Sequence, residues 1–183
     1  MNKKWLKTIL VLASLTLTSC GEDPLKSFEK KIGSSLKSVS KVEVTTTILD
    51  DEVEVYRALK TIELEYEGKN VRGNVTLSVT SLNSSFGYES EETTDSFEGA
   101  SKDVLFGLSL DKTYFVTYTL EEDVLTGEVD KEKAGKFFQI ADLNVPENPE
   151  VTIALTDKKI SSYRCAYVTS GERQVSIAAS YTY

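Results

Sequence analysis

Histidine is missing altogether from the 183 residues, and the absence removes whole classes of chemistry. Without an imidazole there is no Ser-His-Asp or Cys-His nucleophile, no histidine general base and no zinc site of the common His-bearing types. Cysteine is almost as scarce, with Cys20 and Cys165 as the two thiols. Long apolar runs are absent too. The longest, Ile9 to Leu17, is too short to span about 30 Å of hydrocarbon as a helix. Basic residues are in deficit, 21 against 29 acidic ones for a net charge of −8, which argues against nucleic acid as a partner.

What the amino terminus does contain is an ordered series. Lys3, Lys4 and Lys7 precede the apolar run, and Leu17-Thr18-Ser19-Cys20 closes it. A basic start, a short apolar stretch and small residues before a cleavage point are the layout of an export signal. The last four residues resemble the lipobox of bacterial lipoproteins. That resemblance, confined to the first twenty residues, implies removal of residues 1–19 and attachment of a diacylglyceryl thioether to Cys20, often with acylation of the new amino terminus. Two or three chains anchor stably where one does not. It also implies a cell-envelope location, at the outer membrane where the organism has one, because Gly21 follows the cysteine in place of an aspartate. With Cys20 acylated, Cys165 is left as a lone thiol and no intrachain disulfide can form.

Charge divides the remainder. Residues 24–41 carry five lysines against Glu29 alone, whereas residues 42–183 hold 13 basic and 26 acidic side chains. The basic stretch predicts a helix. Asp23 is placed as an N-cap, Pro24 suits the first helical position, and Leu25, Phe28, Ile32, Leu36 and Val39 recur at steps of three and four. The stripe is expected to pack on the body with the lysines in solvent; a helix lying on a membrane surface is the other expectation.

From Val42 onward the period is two. Ile62 to Tyr66 and Val71 to Val79 alternate on either side of Gly68-Lys69-Asn70 and predict a hairpin, with Val53 to Lys60 extending its first arm. Tyr114–Leu120 and Val124–Val129 predict a second. Ser81 to Ser101 reads as a polar loop, 131–140 as ambiguous with a single helical turn in it, and strands are expected near 151–156, 160–169 and 173–183. The expected fold is therefore mainly β: an antiparallel barrel or sandwich of about 8–10 strands preceded by one N-terminal amphipathic helix. The domain plan is a signal at 1–19, the Cys20 attachment site and basic helix at 20–41, and one β domain at 42–183.

Several constellations invite chemistry. Ser27-Phe-Glu-Lys30 and Ser34-Ser-Leu-Lys37 match S-x-x-K, yet S-D-N is absent and Lys112-Thr113-Tyr114 supplies half of the K-T-G that accompanies it in penicillin-binding proteins. Five carboxylates between Glu89 and Glu98 suit calcium in kind, but their spacing fits no EF-hand and reads as a solvated acidic loop. Tyr163, Cys165 and Tyr167 fall on one strand face, with Cys165 expected as an inert core thiol. Val175 to Tyr183 alternate like the final strand of an outer-membrane barrel, against which stand the charges in Ile62-Glu-Leu-Glu65. No catalytic, cofactor or metal residue is assigned. The expectation is a non-enzymatic, lipid-anchored envelope protein whose β domain binds a small apolar ligand or an envelope protein, with the membrane reached through Cys20. An envelope enzyme using carboxylates or a metal, and a purely structural tether, are the alternatives.

Overall fold

The computed structural model describes residues 23–68, 70–83, 85–100, 110–140 and 143–183. Cys20, residues 1–19 with their expected export signal, and Lys69 of the expected turn lie outside them. Helix α1 (Pro24–Ser35) begins as its sequence dictates: Asp23 Oδ1 accepts from the Leu25 N–H at 3.0 Å. A single 3₁₀ turn (Leu36–Ser38) ends it. All five residues of the apolar stripe are buried, so the periodicity is accounted for by packing.

Nine strands follow: β1 (Lys41–Asp50), β2 (Val53–Glu67), β3 (Asn70–Asn83), β4 (Gly87–Ala100), β5 (Phe115–Glu121), β6 (Val124–Val129), β7 (Glu150–Thr156), β8 (Lys159–Val168) and β9 (Gln174–Thr182). They form one antiparallel sheet in the order β4-β3-β2-β1-β9-β8-β7-β6-β5. This is an open, barrel-like sheet, not a sandwich. Two meanders, β1 to β4 and β5 to β9, are joined where β1 pairs with β9, from Lys41 opposite Thr182 to Leu49 opposite Gln174.

The sheet curls because both halves pack into one cluster around the helix. Leu25, Phe28, Ile32 and Leu36 share that cluster with Val42, Ile62 and Val71 from one half and Leu125, Ile153 and Ile160 from the other. Polar contacts fix the helix at its carboxyl end. Ser35 Oγ donates to the Ile32 carbonyl at 2.8 Å and accepts from the Ile160 N–H at 3.2 Å, while the Tyr66 hydroxyl reaches the carbonyls of Leu36 and Val39 at 2.7 and 2.8 Å. Two glycines permit close approach. A Cβ at Gly73 would strike the backbone oxygen of Glu63, and one at Gly127 would lie 2.7 Å from the Phe115 ring.

The expected loop at Ser81 to Ser101 is corrected by β3 and β4, which pair from Asn70 opposite Ala100 to Asn83 opposite Gly87. The segment is polar because β4 is an edge, where carboxylates discourage further pairing. Its outward hydroxyls meet those of β3, with Thr80 Oγ1 and Ser90 Oγ 3.0 Å apart. Residues 131–140 contain a 3₁₀ turn (Lys131–Lys133) and one α-helical turn (Ala134–Phe137) that buries Phe137.

Candidate functional site: the open half of the concave face

Strand alternation sorts every side chain onto the core side or the outward side of the sheet. With the registers above, β1 presents Val42, Val44, Thr46 and Ile48 to the core side, and β2 presents Tyr56, Ala58, Lys60, Ile62, Leu64 and Tyr66. β3 adds Val71 to Val79 at every second position, and β9 adds Val175, Ile177, Ala179 and Tyr181.

Helix α1 covers only part of this concave surface. Val42, Ile62, Leu64 and Val71 lie beneath the helix cluster and are buried. Toward the other end of the same strands, Val44, Thr46, Ile48, Tyr56, Leu77, Val79 and Ile177 are half-buried. Of these, Val44 and Ile177 pack against the core cluster, which leaves Ile48, Tyr56, Leu77 and Val79 as an apolar floor across β1, β2 and β3, strands about 4.8 Å apart. Such a surface is suited to hydrocarbon, since burying it gains about 25 cal/mol per Å². Its border on β4 is acidic: Glu89, Glu91 and Asp95 sit opposite Ser81, Val79 and Val75.

One charged residue interrupts the floor. Lys60 stands directly between Val44 on β1 and Leu77 on β3. Its neighbours along β2 are Ala58 and Ile62, and it is exposed.

Deeper on the same face, Tyr163, Cys165 and Tyr167 line β8 as their spacing predicts, opposite Ala179, Ile177 and Val175. Cys165 is buried. Burial pushes its thiol pKa up to about 11, outweighing a hydrogen bond with Tyr163 that favours the thiolate. Burial likewise raises Tyr163 and Tyr181. These groups are uncharged at neutral pH and act as packing.

The outward face has a hollow of about 650 Å³ at the lower ends of β1 to β4, lined by Lys41, Glu63, Glu65, Arg72, Asn74 and Glu98 among others. Its cations are already paired: Lys41 Nζ lies 2.8 Å from Glu43 Oε1 and Arg72 Nε 3.1 Å from Glu65 Oε2. Nothing there converges on a guest.

The acidic run from Glu89 to Glu98 does not converge either. Alternation sends Glu89, Glu91 and Asp95 to the core side and Glu92 and Glu98 outward, so the run is a charged edge strand and not a liganding loop. Among the described residues no group of three or more His, Cys, Asp or Glu side chains is placed to hold a metal ion. No helix among them is long and apolar enough to cross a membrane.

No protein-family model and no characterised protein sequence matches the chain. Among solved structures it is similar to the lipoprotein LppX of Mycobacterium tuberculosis, at 10% identity and a TM-score of 0.32, covering 87% of this chain and 95% of that one. Two redesigned β-barrels also align. One is mFAP1 bound to DFHBI, with 9% identity, a TM-score of 0.27 and coverage of 80% and 97%; the other is b11L5F_LGL, with 11%, 0.24, 84% and 96%. At TM-scores this low the likenesses carry no inference about ligand or partner.

Proposed function

We propose that this chain is a lipid-anchored protein of the bacterial cell envelope whose curved sheet binds a small apolar ligand in the open half of its concave face. The observation that carries the binding role is the apolar floor formed by Ile48, Tyr56, Leu77 and Val79, left half-buried beside the core cluster that the helix joins. The lipobox resemblance at Leu17 to Cys20 supports the anchor. On this reading the protein acts by sequestering hydrocarbon, and the buried Cys165, held as a thiol, serves as packing.

N-phenyl-1-naphthylamine, an uncharged dye that brightens in apolar surroundings, tests the reading. The purified protein is expected to bind it saturably. Leu77→Glu, on the concave floor, should abolish the signal, whereas Leu59→Glu, at an exposed outward position on β2, should leave it intact. Circular dichroism checks that both variants remain folded. No saturable binding by the native protein, or equal loss in both folded variants, overturns the assignment.

A further inference from the structure

We propose that Lys60 is the headgroup anchor of this site, so that its ligand is an acyl chain ending in a carboxylate, a fatty acid. The inference rests on the apolar-ligand reading above and specifies the ligand class. A lysine placed in the interior of an apolar strand face must extend its ammonium beyond the hydrocarbon around it. Here that hydrocarbon is Val44 and Leu77 on the flanking strands, Ala58 and Ile62 on its own, and Val42, Val75 and Val79 on the diagonals. No ion pair or hydrogen bond engages it among the described residues. Other lysines have such partners: Lys31 with Asp123, Lys41 with Glu43 and Lys133 with Asp130.

The distribution of charge selects the ligand further. Among the described core-side positions of β1 to β4 and β9, Lys60 is the one cation, so a single negative charge is complementary to it. A doubly charged phosphate monoester would be half-compensated and would face Glu91 and Asp95. Those carboxylates lie two strands from Lys60, on β4, about 10 Å away across the sheet. They repel an anion from the edge and leave Lys60 as the place where a carboxylate is drawn in. The tail then runs along the strands toward Ile48 and Tyr56, the half-buried end of the floor. A carboxylate against an ammonium forms a charge-assisted hydrogen bond, stronger than a neutral pair.

The test uses displacement of N-phenyl-1-naphthylamine from the purified protein by dodecanoate and by dodecanol, both below their aggregation limits, at pH 8. Native protein is expected to prefer dodecanoate at least tenfold, and the preference should shrink between 0.02 and 0.5 M salt as the Debye length falls. Lys60→Met keeps the aliphatic stem and removes the charge. It should bind dodecanol as the native protein does and lose the preference for dodecanoate, which supports the assignment. Equal binding of the two ligands by native protein, or an undiminished preference in folded Lys60→Met, overturns the Lys60 role while leaving apolar binding in place. Displacement by neither ligand overturns both readings together.

Discussion

Ile32→Ala tests whether α1 is a structural part of the sheet domain or a stalk laid against it. Ile32 is 1% exposed and sits in the cluster that joins the two halves of the sheet. Deleting a fully buried isoleucine to alanine typically destabilises by 2–5 kcal/mol, the transfer loss plus the cavity left behind. About 3 kcal/mol is expected here, because the site lies mid-helix with rigid strands on its far side and little room to collapse. Against a total of about 5–15 kcal/mol for a domain, that is a large fraction. Urea unfolding followed by circular dichroism reads it: with a slope of about 1.5–2 kcal/mol/M, the midpoint should fall by about 1.5–2 M with the slope unchanged. Lys31→Met serves as the comparison. Its ion pair with Asp123, at 2.7 Å, is 38% exposed on both sides and so is worth under about 1 kcal/mol. A midpoint shift for Ile32→Ala as small as that for Lys31→Met would show that the helix is undocked in solution.

Alkali should weaken the protein through Cys165. The unfolded thiol titrates near 9.0 and the folded one at about 11, so the folded state holds its proton longer. The stability this represents is fully present below pH 9 and is lost as pH rises toward 11. At pH 10 the loss amounts to about 1 kcal/mol. Cys165→Ala, though less stable overall, should show a flatter dependence of urea midpoint between pH 8 and 10; an identical slope would refute the assignment. At the other end of the chain, Cys20→Ala should abolish incorporation of radiolabelled fatty acid and leave an unprocessed precursor, and label appearing on that variant would exclude the anchor.

Much of the architecture is legible in the sequence where a single period dominates. The α1 stripe, the β2–β3 and β5–β6 hairpins and the strands at β7 to β9 all follow from it, since one face of each meets the core. β4 escapes because Gly87 to Ala100 has the composition of a loop and no apolar alternation; only the unpaired edge of β3 makes it a strand, and pairing over long registers is invisible to local pattern. The site is half legible. The alternation of Ile62, Leu64 and Tyr66, extended back through Val53 to Lys60, predicts the strand, but nothing in it singles out Lys60. What no sequence pattern carries is the register that sets Val44 and Leu77 on either side of it, or the extent to which α1 leaves that stretch uncovered.

The seam between β1 and β9 has a consequence for how the chain comes to be folded. Across it Ser40 Oγ donates to the Thr182 carbonyl, 142 residues away in sequence. During synthesis β1 can gain β2 as a neighbour at once, but its other edge stays open until β9 has been made. Loop-closure entropy must be overcome before that contact contributes anything, which makes such pairings slow. The first meander therefore waits as a four-stranded ribbon, and helix α1, whose partners include Ile160 on β8, has nowhere complete to dock. Assembly is postponed to its final step, when one strand joins the two ribbons and closes the core around the helix. A chain built in this order remains threadable for as long as it is being made.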